Sequence, residues 1–167
     1  MGSTSTARQA TLNNTTAFPF VRCREIANQF GVVIVSADLR IGAAMTEILR
    51  ECSLNSTLVA GVSELKNALA RTSPIACLCG FELADGSFRE VLEFLERQPV
   101  QIPTIMVSAP SPSETPASIL DSLKAGALAT ICYPYRLSDV QIMLWSAIQS
   151  QRELEQLPEL EKVGLPI

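Results

Sequence analysis

The sequence predicts an α/β fold: a five-stranded parallel sheet with helices on both faces, that is, a doubly wound three-layer sandwich. Short apolar runs of strand length alternate with longer segments whose apolar residues recur every three or four positions. Such alternation is typical of parallel sheets with right-handed crossovers. The short runs are also apolar throughout, as expected for strands that are buried on both faces.

The elements follow one another in order within residues 31–150. Asp38 is predicted to cap the first helix and Ser63 the second, because short polar side chains bind the free N–H groups at helix starts. No linker divides this range, so we expect one ordinary domain with no internal boundary. The predicted strands are 32–35, 57–61, 75–80, 104–107 and 128–132, and the predicted helices are 39–52, 63–69, 88–97, 117–123 and one that starts near Ser138.

The two ends of the chain are predicted to lie outside this domain. Residues 1–30 comprise a mobile N-terminal tail, rich in Ser, Thr and Asn at its start, and a lead-in segment. Residues 151–167 form a C-terminal helix extension and tail. The last helix either continues through Leu157 or frays before Pro158, because short isolated helices are marginal. Only about ten residues follow Leu157, so we expect a stand-alone module without an output domain.

Composition and charge exclude several classes of function. The chain of 167 residues has 13 basic and 17 acidic residues, a formal charge of −4, and no basic cluster that would bind nucleic acid. No apolar stretch reaches the roughly 20 residues that cross a bilayer, and the start lacks a secretory signal, so we expect a cytoplasmic protein. The absence of histidine excludes Ser-His and Cys-His catalysis and His-ligated zinc.

The five cysteines do not indicate a disulfide framework, because their number is odd and their spacing is scattered. Cys77 and Cys79 are two positions apart on a predicted strand and therefore point to the same face. Free cysteine is among the most frequently buried residues, so we interpret this pair as small core residues.

Polar residues that follow the strands are the candidates for chemistry, since ligands of open α/β sheets bind at the carboxyl ends of the strands. Asp38, Glu82 and Asp85 could hold a divalent cation there, although Asp85-Gly86 is also an ordinary turn sequence. Ser36 and Ser108 end strands but have no histidine to act as a base. The turn after the first strand contains no glycine, which argues against Rossmann and P-loop nucleotide sites.

An aromatic segment, Tyr133-Pro134-Tyr135, follows the fifth strand. Proline cannot donate a ladder hydrogen bond, so Pro134 should end the strand. We expect the two tyrosines to pack at the edge of the sheet with their hydroxyl groups toward solvent.

The order of the elements and three short segments resemble the receiver domain of two-component response regulators, the CheY-like member of the flavodoxin-like topology. The segments are 80–87 (GFELADGS), 123–127 (LKAGA) and 133–135 (YPY), and the resemblance spans about residues 31–150. It implies a role in phosphorelay signal transduction.

The resemblance also implies a phosphorylation site, and this sequence departs from it. A receiver has a phosphoacceptor aspartate, two magnesium-binding acids and a lysine before the proline that follows the fifth strand. All of these are replaced here, whereas the hydroxyl residue at the end of the fourth strand is retained. Gly80 matches the acceptor, and Ser36 and Ala37 match the two acids, with Asp38 beside them. Tyr133 matches the lysine and Ser108 the hydroxyl residue. Thr130 matches the position on the fifth strand where receivers have an aromatic switch residue.

We therefore expect a non-enzymatic pseudo-receiver that acts by protein contact, without a cofactor. Its partner would be a kinase or regulator of a signalling pathway, or a second copy of the chain. The last strand and helix would supply the interaction face, with Thr130, Tyr135, Leu144, Trp145 and Ile148.

Two alternatives remain open at this point. The first is a receiver that is phosphorylated or binds Mg²⁺ through Asp38, Glu82 and Asp85. The second is a small-ligand-binding α/β domain with a pocket at the edge formed by Ser36, Gly80 and Ser108.

Overall fold

The computed structural model describes residues 31–112 and 114–162, with side chains as far as residue 150. The predicted tail and lead-in segment, residues 1–30, lies outside the described residues, as do the last five residues. Everything below refers to the described part of the chain.

Five strands and five helices alternate along the described chain. They are β1 (Val32–Val35), α1 (Leu39–Glu51), β2 (Ser56–Val59), α2 (Val62–Leu69), β3 (Ala76–Gly80), α3 (Phe88–Glu96), β4 (Thr104–Val107), α4 (Pro116–Lys124), β5 (Ala129–Ile131) and α5 (Leu137–Lys162). The predicted alternation is confirmed, and most boundaries agree to within two residues.

The strands form one parallel sheet in the order β2-β1-β3-β4-β5. Val35 of β1 pairs with Cys79 of β3, and Gly80 pairs with Val107 of β4. Because all strands run in the same direction, their carboxyl ends lie at one edge of the sheet. The predicted five-stranded doubly wound sandwich is confirmed.

Two apolar clusters cover the two faces of the sheet. Both faces have to be covered because the strands do not alternate between apolar and polar residues. One cluster joins α1 and α5 to the sheet and includes Ile34, Met45 and Leu78. The other joins α2 and α3 to the opposite face and includes Val35 and Leu65. Helices α4 and α5 both contact the edge strand β5.

Cys77 and Cys79 lie in the second cluster and are fully buried. Burial raises the pKa of both thiols, that of Cys79 to about 12, because desolvation penalises the thiolate. Both side chains are therefore neutral core residues, as predicted.

The start of α2 differs from the prediction. Gly61, rather than Ser63, is the N-cap residue, and it provides no side-chain cap. Ser63 lies in the first turn instead. An added Cβ at Gly61 would collide with the carboxylate of Asp85, so the close approach of the β3–α3 loop requires glycine here.

Helix α5 is continuous from Leu137 to Lys162. It therefore passes through Pro158, and the alternative in which the helix frays before this proline is wrong for the described backbone. Within residues 31–112 and 114–162, no helix combines the length and apolarity that are needed to cross a membrane.

The predicted interaction face needs correction on α5. Leu144 is only 1% exposed and Ile148 only 4%, and both pack in the cluster shared with α1. Their apolar spacing marks the side of α5 that faces the sheet, so they cannot contact a partner. Ile142, on the same helix, is 54% exposed.

This difference within one helix can be tested by truncation. Leu144→Ala is expected to lower the free energy of unfolding by about 2–5 kcal/mol, because it leaves a cavity in the core. Ile142→Ala is the matched control and should change it by no more than about 0.5 kcal/mol. Urea unfolding of both variants measures the difference, and equal losses would contradict the assignment.

Candidate functional site

The carboxyl edge of the sheet brings Ser36, Gly80 and Ser108 side by side, because β1, β3 and β4 are adjacent. Ser36 is the neighbour of Gly80: an added Cβ at Gly80 would lie 2.9 Å from Ser36 Oγ and 3.3 Å from Ser36 Cβ. Ser36 and Ser108 are both buried. At the matched acceptor position there is thus no carboxylate, and a serine side chain crowds the space where one would begin.

The side chain of Asp38 forms hydrogen bonds at the start of α1. Its carboxylate accepts the backbone N–H of Arg40 at 2.9 Å, which makes it the N-cap, as predicted. The Arg40 guanidinium binds the same carboxylate through Nε at 3.4 Å and Nη2 at 3.3 Å. The Asp38 backbone N–H donates to Ser36 Oγ at 3.1 Å. Asp38 is therefore both a helix cap and one half of an ion pair.

The Arg40 hydrogen bond is the main reason why the pKa of Asp38 lies below its ordinary value, and the same contact raises the pKa of Arg40. The negative charge of Asp38 is compensated by this neighbour. Such a carboxylate has less electrostatic attraction left for a cation.

The β3–α3 loop contacts the segments that follow β1 and β2 but places its two acids apart. The Glu82 carbonyl accepts the Ala37 N–H at 2.9 Å, while the Glu82 side chain is exposed. The Asp85 carboxylate instead accepts the hydroxyl and the backbone N–H of Ser63, at the start of α2.

These hydrogen bonds lower the pKa of Asp85, and the bond with the Ser63 hydroxyl has the largest effect. A carboxylate at a helix start is also stabilised by the free N–H groups there. In the described part of the chain, no three His, Cys, Asp or Glu side chains form a group that could hold a metal ion. Asp38, Glu82 and Asp85 are therefore not brought together as a ligand set.

The end of β4 carries an arrangement that the sequence did not reveal. Ser108 Oγ donates to Glu114 Oε2 at 2.8 Å, and the backbone N–H of Ala109 donates to the same oxygen at 2.5 Å. Glu114 comes from the loop between β4 and α4. The only sequence signal was an acid six residues after a strand-end serine, which does not predict a contact by itself.

Tyr135 completes this arrangement, and its position corrects the prediction. Its hydroxyl donates to the Ser108 carbonyl at 2.8 Å rather than facing solvent. Burial, followed by the nearby charges of Glu114 and Asp38, raises the pKa of Tyr135 to about 12, so the phenol stays protonated beyond the pH at which an ordinary tyrosine ionises.

Tyr133 occupies the position that matches the receiver lysine and is exposed, as predicted. Its ring contacts Tyr135 edge to face with the ring centroids 5.5 Å apart. A phenol at this position cannot supply the positive charge of a lysine. The peptide bond between Tyr133 and Pro134 is cis.

The remaining predicted interface residues are half-buried. Trp145 packs against the cluster that joins α1 and α5 to the sheet. The Thr130 Oγ1 atom is buried and has no hydrogen-bond partner among the described residues. The exposed large apolar side chains near β5 are different ones, namely Leu120 and Leu123 on α4, Leu128 and Tyr133 on either side of β5, and Ile142 on α5.

A groove of about 350 Å³ lies at the opposite, amino edge of the sheet. Its lining includes Pro103 and Thr104 at the start of β4 and Leu128 before β5. The groove is thus separate from the edge formed by Ser36, Gly80 and Ser108.

Comparison with known proteins gives a fold but no close relative. No family model and no curated protein matches the sequence. Among solved structures, a CheY-like response regulator receiver domain protein from Methanospirillum hungatei aligns with a TM-score of 0.62 and 22% identity, over 73% of this chain and 95% of that one.

Two further structures agree with this result. The signal receiver domain of a signal transduction histidine kinase from Syntrophus aciditrophicus has a TM-score of 0.60 and 20% identity, over 71% of this chain and 89% of that one. A response regulator receiver domain protein from Clostridium thermocellum has a TM-score of 0.63 and 14% identity, over 74% of this chain and 97% of that one. The chain has the receiver-domain fold, and the predicted CheY-like topology is confirmed.

The ion pair at Asp38 predicts a pH dependence. The pKa of Asp38 is lower in the folded chain than its ordinary value of 3.8. Its charge therefore stabilises the fold above that value, and the contribution is lost as the pH falls through the folded pKa. Asp38→Asn keeps a capping oxygen but loses the charge. The wild type should be the more stable at pH 7, and the difference should disappear at low pH.

Urea unfolding of both proteins between pH 7 and pH 3 measures this difference. Asp38→Ala also loses the cap, so it should be less stable than Asp38→Asn by about 1 kcal/mol. A difference between wild type and Asp38→Asn that is as large at pH 3 as at pH 7 would contradict the role of the charge.

Proposed function

We propose that this protein is a pseudo-receiver: a non-enzymatic signalling module with the receiver fold that acts by protein contact and without aspartate phosphorylation. The observation that carries the proposal is Gly80. It stands at the end of β3, where the resemblance places the phosphoacceptor, and it offers no carboxylate.

The surroundings of Gly80 support the proposal on chemical grounds. Phosphoryl transfer is catalysed mainly by positioning and by stabilisation of negative charge, which in receivers comes from Mg²⁺ and a lysine. Here Asp38 is paired with Arg40, and Tyr133 stands at the lysine position. The edge therefore lacks both the nucleophile and the matching positive charge.

The alternative of an acidic site built from Asp38, Glu82 and Asp85 is less well supported. Asp38 caps α1 and Asp85 accepts hydrogen bonds from Ser63 at the start of α2, so each serves a different helix. A metal ion would have to compete with these intramolecular contacts.

A protein partner is supported by the surface around β5. Leu120, Leu123 and Leu128 are each at least 40% exposed, and Ile142 lies on the other helix that flanks this strand. Buried contacts of such side chains are a common source of binding free energy in interfaces. We propose that a kinase, a regulator of a signalling pathway or a second copy of the chain contacts this surface.

Acetyl phosphate tests the proposal directly. The wild type is expected to acquire no base-labile phosphate in the presence of Mg²⁺, as measured by intact-mass spectrometry before and after hydroxylamine treatment. Labelling of any aspartate, including Asp38 or Asp85, would contradict the proposal.

Gly80→Asp sharpens the same experiment, because it restores a carboxylate without restoring the lysine or the acidic pair. We expect it to remain unlabelled and to lose about 1–3 kcal/mol of stability, since it buries a poorly paired charge beside Ser36. Gly80→Ala is the matched control: it adds the same Cβ without the charge. Efficient labelling of Gly80→Asp would show that the rest of the edge can still support phosphoryl transfer.

A further inference from the structure

We propose that the carboxyl end of β4 is a carboxylate-binding site that the chain fills with its own Glu114, and that this contact holds the start of α4 against the end of β4. The proposal deepens the proposed function and rests on it for its signalling consequence. In a pseudo-receiver, an internal anion would fix one position of the start of α4 without any phosphoryl donor.

The donors at this site are directed at a single oxygen. Ser108 Oγ and the Ala109 N–H meet Glu114 Oε2 at 2.8 Å and 2.5 Å. Both residues are only 8% exposed. Hydrogen bonds to an ionised acceptor are stronger than those between neutral groups, and buried donors left without an acceptor are costly. The site is therefore built for an anion.

Tyr135 orients this site without taking part in anion binding. Its hydroxyl donates to the Ser108 carbonyl, which restrains the backbone that carries both donors. The phenol is neutral at physiological pH and adds no competing negative charge, and its pKa, raised to about 12, keeps it so at alkaline pH as well. It is a positioning residue in this account.

Glu114 lies next to the N-cap of α4, so its contact with the end of β4 affects where this helix begins. Thr115, the next residue, is the N-cap of α4, and its hydroxyl accepts the Ser118 N–H. The Glu114 carboxylate thus ties the residue before the N-cap of α4 to the end of β4. Occupancy of the site sets where α4 begins, and with it the position of the exposed Leu120 and Leu123.

The ligand class follows from the group that the site holds. The Glu114 carboxylate places one oxygen on both donors and carries a single negative charge. We therefore expect an emptied site to accept a small monoanionic carboxylate, and acetate is the probe.

Glu114→Ala tests the proposal by emptying the site in the full chain. We expect the equilibrium constant for folding to fall about tenfold, since two hydrogen bonds to a charged acceptor are lost. Sodium acetate should then raise the melting temperature of Glu114→Ala in a saturable manner, relative to sodium chloride at equal ionic strength. The wild type should not respond, because Glu114 occupies the site.

Two controls separate this result from a general loss of charge. Glu51→Ala removes an exposed carboxylate at the end of α1 and should change neither stability nor the response to acetate. Ser108→Ala/Glu114→Ala removes a donor as well and should lose the acetate response. Equal stability of wild type and Glu114→Ala, or equal acetate responses of the two, would overturn the proposal.

If Glu114→Ala does not fold, a milder substitution can be used to test the contact. Glu114→Gln keeps an acceptor oxygen, and a double-mutant cycle with Ser108→Ala measures whether the two side chains are coupled. Coupling of at least about threefold in the folding constant supports the proposal, and coupling below that refutes it. Acetyl-phosphate labelling reports on the proposed function alone, so the failure of either claim can be recognised separately.

Discussion

Strands β1, β3 and β4 are buried on both faces, and this constraint determines where any polar chemistry can occur. Side chains along these strands must be apolar, so the polar groups of the sheet are confined to its ends. At the carboxyl edge, Ser36, Gly80 and Ser108 are held next to one another by strand pairing alone. Their loops then have to satisfy each buried donor and acceptor.

Three acids at or near this edge have partners within the described chain. Arg40 compensates Asp38, Ser63 donates to Asp85, and the Ser108 hydroxyl donates to Glu114. Asp38, Asp85 and Glu114 each have an intramolecular partner, whereas the Glu82 side chain is exposed. This pattern favours a module whose state is set by its own contacts, in agreement with the proposal that a partner contacts the apolar side chains around β5.

The sequence was sufficient for the fold because its signals are local. The apolar run of β1 and the helical spacing of Ile41, Met45 and Leu49 each specify an element without reference to the rest of the chain. Strand direction then placed Ser36, Gly80 and Ser108 at one edge. Helical spacing alone did not distinguish core from interface, which is why Leu144 and Ile148 were assigned to the wrong surface.

The contacts that complete the site could not be predicted because they are tertiary. The Asp85 carboxylate and the Ser63 hydroxyl are 22 residues apart, and the Tyr135 hydroxyl and the Ser108 carbonyl are 27 apart. Glu114 lies closer in sequence to Ser108, but a separation of six residues does not by itself predict that its carboxylate accepts the serine hydroxyl. Such contacts depend on how loops from different elements meet.

The central claim is that this edge responds to neither metal nor phosphoryl group. Titration with Mg²⁺ and beryllofluoride, followed by the fluorescence of Trp145, the single tryptophan, tests it most directly. Trp145 lies on α5 and packs against the core cluster that joins α1 and α5 to the sheet. We predict no saturable change up to millimolar concentrations, relative to sodium chloride at equal ionic strength. A saturable change would show that the carboxyl edge still binds the phosphoryl mimic and would contradict the account.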